Sequence, residues 1–261
     1  GAHSRSGHDQ YFARLNNTLK RAGPGRPVML IDTARMNHNT DQLVRSIGKE
    51  KTYRVVVKSL PSVPLLKHVT QRAKTEALMV FHQPFLNAIA QTFPDSDALL
   101  GKPMPVRAAE TFYKNLPSDA AFNPAKQVQW LVDSEARLAQ YLHLAKTLGI
   151  KLQVNFEIDV GLRRGGFAST ELLGRAIALA TAHPTHLTVT GIMGYEPHLS
   201  GMKADLSHPE VQKVLTRYHA AIAQLRNHGV GLGHMTLNGA GSHTLKIYGR
   251  DRTMNDLSAG S

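Results

Sequence analysis

The feature that most constrains this chain is an alternation. Short β-branched or apolar runs are each followed by a longer stretch with helical spacing. VMLID (28–32) precedes MNHNTDQLVRSI, YRVVVKSL (53–60) precedes PLLKHVTQRAKT, and EALMVFHQ (76–83) precedes PFLNAIAQTF. DALLGKPM (97–104), QVQWLVD (127–133), KLQVNFEIDVG (151–161) and HLTVTGIMGYE (186–196) are likewise each followed by a helix-like segment. HMTLNGAG (234–241) and MNDLSAGS (254–261) close the chain. The helical segments are well marked. Val211, Val214, Leu215, Tyr218, Ala221, Ile222 and Leu225 make one apolar face at three-four spacing. Ser134 with Glu135 marks a helix start, and Gly149 and Gly229 sit where helix C-caps belong. Runs such as LQVNF and VMLI read as mostly apolar on both faces, as a sheet covered by helices requires. Strand–helix alternation at this spacing predicts parallel βα units. Apart from VMLID there are eight candidate strands, so a closed (β/α)8 barrel is expected, with an open doubly wound sheet as the alternative. No G-x-G-x-x-G follows the first strand, which counts against a dinucleotide fold.

Composition narrows the function classes. With 261 residues the chain suits one large α/β domain, or one domain and a fragment of a second. There is no cysteine, which excludes disulfides, thiol catalysis and cysteine-bound metal within the chain, and fits a cytoplasmic protein. The net charge of +12 raises nucleic-acid binding. Lys and Arg are spread without aromatic interleaving, however, so a basic surface favouring anionic small molecules is the better reading. The fourteen histidines are scattered, and no HExxH pair occurs. No apolar window is long enough to predict a transmembrane helix. The start, GAHSRSGHDQ, has no apolar core of a signal peptide, and its first residues read as an expression scar.

In a βα barrel the chemistry lies at the C-terminal ends of the strands. Those ends carry Lys58, Asp133, Asp159 with Arg164, the segment from Tyr195 to His198, Asn238 to Ser242, and Gly260 with Ser261. Strand parity puts Arg54, Val56 and Lys58 on one face. If that face is the inner one, two cations share a confined space, and Lys58 becomes a nucleophile for a carbonyl. The plainer alternative is a solvated strand-end lysine. In DVGLRRGG, Arg163 and Arg164 offer planar donor forks for an oxyanion, or form a salt-bridged turn. NGAGSHT, with Asn238, Gly239, Ala240, Gly241 and Ser242, suits a phosphate loop through converging backbone N–H groups. In GYEPH, Tyr195 suits ring contacts, and Glu196 and His198 are candidate acid–base groups, against a plain turn at Pro197. A lysine after an early strand, an arginine after a middle one and a phosphate-suited loop after a late one together describe a pyridoxal phosphate site.

At this point the sequence resembles the fold-type III pyridoxal phosphate enzymes, whose barrel is the alanine racemase N-terminal domain. Within that group it is most similar to the D-threonine aldolase and D-serine dehydratase branch. RVVVKS resembles the family's arginine–x–x–x–lysine segment, which implies that Lys58 is the Schiff-base lysine. EIDVGLRRGG resembles Asp-x-Gly-x-x-Arg-x-Gly and aligns Arg164 with the arginine beside the cofactor. GIMGYEPH resembles the Gly-x-x-x-Tyr-x-x-His strand end, with Tyr195 near the ring and His198 following it. NGAGSHT resembles the phosphate loop, and LSAGS, with Gly260 and Ser261, a second phosphate-side turn. The chain departs from the family in Asn238 and Ala240 of that loop, and in Ser-Leu-Pro after the lysine where the aldolases have Thr-His-Lys.

The resemblance implies a (β/α)8 barrel over residues 27–261, with residues 1–26 leading in and belonging to a C-terminal β-domain expected after the barrel. It implies pyridoxal 5'-phosphate as cofactor and a D-amino acid as substrate. The implied reaction is that of a lyase of the D-threonine aldolase or D-serine dehydratase type, with an amino-acid racemase or a non-catalytic pyridoxal phosphate barrel as alternatives. A divalent metal would be held by the β-domain, none by this chain, and the protein would be a cytoplasmic homodimer without membrane or nucleic-acid partners.

Overall fold

The computed structural model describes residues 32–59, 62–160, 165–195, 205–240, 248–249 and 251–260. The chain divides into two compact units, Gly1–His38 and Asn39–Ser261. VMLID, expected as an extra strand, lies outside the described residues except for its last residue.

Helix α1 (Thr33–Ser46) leads to strand β1 (Thr52–Val56), a 3-10 turn (Val57–Ser59) and α2 (Val63–Ala73). Then follow β2 (Ala77–Val80), α3 (Gln83–Thr92), β3 (Asp97–Leu100), α4 (Val106–Asn115) and the short α5 (Pro124–Gln127). The chain continues through β4 (Val128–Val132), α6 (Glu135–Leu148), β5 (Leu152–Ile158), α7 (Thr170–Thr181), β6 (Leu187–Tyr195) and α8 (Pro209–Asn227). It ends with β7 (Thr236–Ala240) and β8 (Asp256–Ala259).

All eight strands pair in parallel in chain order, and β1 pairs with β8 through Thr52↔Asp256 to Val55↔Ala259. That last pairing closes the barrel and removes both sheet edges, so the open-sheet alternative falls. Apart from VMLID, each expected strand overlaps one of the observed strands, and β1 starts one residue earlier than expected, at Thr52. The strands are buried on both faces; all five residues of β4 are buried. On the outer side Trp130 is wedged among Phe112, Tyr113 and Tyr141 of α4 and α6, and its indole N–H donates to the Tyr113 hydroxyl at 3.1 Å. Helix α6 starts and stops where its sequence indicates. Ser134 Oγ accepts from the Arg137 amide at 3.1 Å, and Gly149 takes the left-handed conformation at φ 64°. Replacing Ser134 by alanine orphans that amide, and a loss of about 1 kcal/mol in urea unfolding is expected.

The barrel interior is polar, where branched apolar layers are usual. Arg54 of β1 is 2% exposed. Its Nε and Nη2 donate to the two Asp256 carboxylate oxygens at 2.9 and 2.8 Å. Its Nη1 donates to Asp97 Oδ1 at 2.8 Å and to the carbonyls of Leu78 and Asp97. Asn238 links Asp256 to Ser258, and Gln129 links Asn155, Thr190 and Thr236. Two expectations are corrected here. Arg54 is no bare cation beside Lys58, because two carboxylates neutralise it. And β1 ends at Val56, so the strand parity that put Lys58 on one face with Arg54 stops short of it.

Candidate active site

The C-terminal ends of the strands form the mouth where the sequence placed its site. Lys58 sits there in the 3-10 turn after β1, exposed, with its Nζ 5.2 Å from the centre of the Phe81 ring that follows β2. No carboxylate among the described residues forms an ion pair with it. The Phe81 ring lies against Gly101, which follows β3. A methyl group at Gly101 would overlap the ring edge and come within 2.9 Å of Met79 Cγ, so the close approach requires glycine. The Gly101 carbonyl in turn accepts a hydrogen bond from the Tyr195 hydroxyl at the end of β6. Strands β3 and β6 stand well apart around the ring of eight, so Tyr195 reaches across the mouth. Burial, with a smaller push from the Glu157 charge, raises the Tyr195 phenol to about 12.

Glu157 of β5 belongs to the same mouth and is 5% exposed. Its Oε1 lies 2.9 Å from where a methyl would stand on Gly165, whose φ of 134° also favours glycine. Burial pushes the Glu157 carboxyl up to about 7, Asp133 adds to the shift, Arg137 opposes it and Asp159 adds the least. Asp133 is itself tied to Arg137 at 2.8 Å, and Arg137 also donates to the Met104 carbonyl. An acid whose folded value lies above its ordinary 4.5 holds its proton more tightly in the native state. Its contribution to stability is whole below that ordinary value and is lost as pH rises through about 7. Glu157→Gln should therefore flatten the fall in unfolding free energy between about pH 5 and about pH 8. Urea unfolding at the two pH values measures this, and an unchanged slope would remove Glu157 as its source.

The late strands contribute small residues. Asn238, Gly239 and Ala240 are the last residues of β7 and not part of a loop, and Gly260 directly follows β8. The side chain of Asn238 faces the barrel interior. It is fully buried, and its side-chain amide donates to Asp256 and Ser258 inside the barrel, at 2.6 and 2.8 Å. Arg163, Arg164, Glu196, His198, Gly241, Ser242 and Ser261 lie outside the described residues. The structure thus brings Lys58 and Tyr195 to one mouth, joined through Phe81 and Gly101, which sequence reasoning missed. Nothing in their local sequence marks them: a phenylalanine and a glycine closing apolar runs are ordinary barrel residues. A cavity of about 970 Å³ opens at the opposite end of the barrel, with Lys51, Arg54, Asp97 and Asp256 in its lining. None of the expected site residues that are among the described residues borders it. Among the described residues no group of three His, Asp or Glu side chains is placed to hold a metal, and no helix is long and apolar enough to cross a membrane.

The family model of the alanine racemase N-terminal domain matches residues 31–255. The chain belongs to that family. This is the barrel of the fold-type III pyridoxal phosphate enzymes, and solved structures share it. D-threo-3-hydroxyaspartate dehydratase from Delftia sp. HT23 superposes with a TM-score of 0.72 at 18% identity, over 88% of this chain and 59% of that one. Alanine racemase from Clostridium difficile 630 gives 0.67 at 20% identity, over 88% and 59%. Alanine racemase from Bacillus anthracis gives 0.70 at 16%, over 89% and 57%. At such identities the likeness is one of fold, and the chain spans less than two thirds of the length of these enzymes. No curated protein matches the sequence.

Proposed function

We propose that this chain is the cofactor-binding barrel of a pyridoxal phosphate enzyme acting on a D-amino acid, and that the reaction is a lyase reaction of the D-threonine aldolase or D-serine dehydratase type. The observation that carries the reading is Lys58: an exposed amine at the barrel mouth, free of carboxylates among the described residues. An amine held in an ion pair would have to break it before attacking an aldehyde; this one does not. The small ends of β7 and β8, Ala240, Ala259 and Gly260, fit a bulky anion close to the backbone. When bound, the cofactor supplies an aldehyde for an amine and a ring that takes up the electrons of a bond broken at the substrate's α-carbon.

The chain's own residues then have distinct tasks. Lys58 would hold the cofactor through its aldehyde, and its Nζ would take or return a proton at the substrate. Tyr195 keeps its proton against the Gly101 carbonyl and would serve as a fixed wall for the cofactor's ring. Arg164 is assigned to the ring's edge, His198 to acid–base work, and Gly239 to Ser242 with Gly260 and Ser261 to the phosphate. A divalent metal in a C-terminal domain and a homodimer complete this reading. The dehydratase of like fold supports a lyase; the alanine racemases of like fold support racemisation as the second reading.

Borohydride reduction in the presence of pyridoxal phosphate is expected to fix the pyridoxyl group on Lys58, identified by peptide mass. A folded protein labelled elsewhere, or not at all, overturns the cofactor reading. Assays on D-threonine and D-serine, with and without chelator, then separate the chemistries. Glycine plus aldehyde means aldolase, pyruvate plus ammonia means dehydratase, and the L-enantiomer alone means racemase.

A further inference from the structure

We propose that Phe81 is a positioning residue for Lys58: its ring holds the free ammonium at the mouth and so sets the pH at which the amine becomes available to an aldehyde. The proposal deepens the cofactor reading and rests on it for its biological meaning. Its physical basis is independent. A lysine on an exposed turn has four rotatable bonds and ordinarily spreads over many rotamers. Here Nζ lies 5.2 Å from the Phe81 centroid, inside the range in which a ring quadrupole attracts a cation. The ring is held in turn. It is half-buried and packs on Gly101 so closely that a methyl group there would overlap it. Gly101 is tied by its amide to the Val80 carbonyl at 2.9 Å and by its own carbonyl to Tyr195. Lys58 therefore rests on a surface that is anchored to β2, β3 and β6.

A ring face favours the charged form of the amine over the neutral one, whereas nucleophilic attack needs the neutral one. When an incoming substrate amine displaces the lysine, the freed group gains a resting place at the ring. No carboxylate among the described residues competes for it. The titratable groups of the surrounding strand ends are His82 and Lys102 beside the ring, and Asp133, Glu157, Asp159 and Tyr195 around the mouth. They are the same in every variant below, so differences between variants report the ring.

The test uses a plain aldehyde, formaldehyde with borohydride, and follows methylation of Lys58 by peptide mass across a pH series. In Phe81→Leu the charged amine loses its partner, so the midpoint of labelling is expected about half a pH unit lower than in the parent protein. Phe81→Tyr keeps the ring and is expected to keep the parent midpoint. Gly101→Ala displaces the ring without altering either residue and is expected to shift the midpoint in the Leu direction, which keeps the test alive should Phe81→Leu fail to fold. An unchanged midpoint in the folded ring-removal and ring-displacement variants, or equal shifts in Leu and Tyr, overturns the role of the ring. The label does not depend on pyridoxal phosphate. Capture of that cofactor by the parent protein is measured separately, so failure of the cofactor reading shows itself apart from failure of this one.

Discussion

Lys58→Ala is expected to leave the fold intact and to abolish covalent capture of pyridoxal phosphate. The two halves of this result have separate causes. Lys58 is exposed, its turn lies beyond the end of β1, and its one ring contact contributes on the order of 1 kcal/mol or less. Unfolding free energy should therefore change by about half a kcal/mol, as for other surface sites. Chemistry should change by far more. The variant loses the amine that holds the aldehyde and the group that moves the proton, and a positioned acid–base group alone is worth roughly 10²- to 10⁴-fold. Borohydride trapping and turnover of D-threonine or D-serine in the full-length protein read this out. Retained turnover, or trapping on another lysine, would dismiss Lys58 from the role. Loss of turnover together with a large loss of stability would show that the lysine is structural.

Arg54→Met is expected to do the opposite, costing about 3–5 kcal/mol of stability through a residue remote from the mouth. Arg54 is buried, with Asp256 bound through both carboxylate oxygens and Asp97 on its remaining nitrogen. Methionine fills most of the volume but strands the Asp256 carboxylate, 3% exposed, inside the barrel, and takes the partner from the half-exposed Asp97. Such a loss is a large share of the roughly 5–15 kcal/mol by which domains are stable. Adding Asp97→Asn and Asp256→Asn removes the unpaired charges and should recover a good part of the loss. Urea unfolding of the single and triple variants measures it. A single variant as stable as the parent, or a triple variant weaker than the single, would mean that charge burial does not govern this interior.

The alternation of strands and helices was readable because each rests on local causes. Apolar spacing along α8, the serine and glycine flanking α6, and the apolar run of β2 each act within a few residues. The short helix Pro124–Gln127 was missed because a single turn has no period to detect. Strand-end placement of Lys58 and Tyr195 followed from the same local reading, and so did their shared mouth. The position of Lys58 within the 3-10 turn did not. It depends on where β1 stops pairing, and that is decided by β2 and β8. The place of Asn238 within β7 was out of reach for a like reason. Next to two glycines it reads as a loop residue, but its partners, Asp256 and Ser258, come from the neighbouring strand.

By itself, then, the sequence determined a chain of βα units with a lysine, a tyrosine and small residues at strand ends, because propensity, capping and amphipathic spacing are short-range. Only the tertiary structure decided that the sheet closes, that Arg54 serves the interior and not Lys58, and that Lys58 meets Phe81 over Gly101. Those outcomes depend on contacts between residues some 20 to 200 positions apart, such as Arg54 with Leu78 and with Asp256. No local pattern encodes such a contact until β1 and β8 are joined.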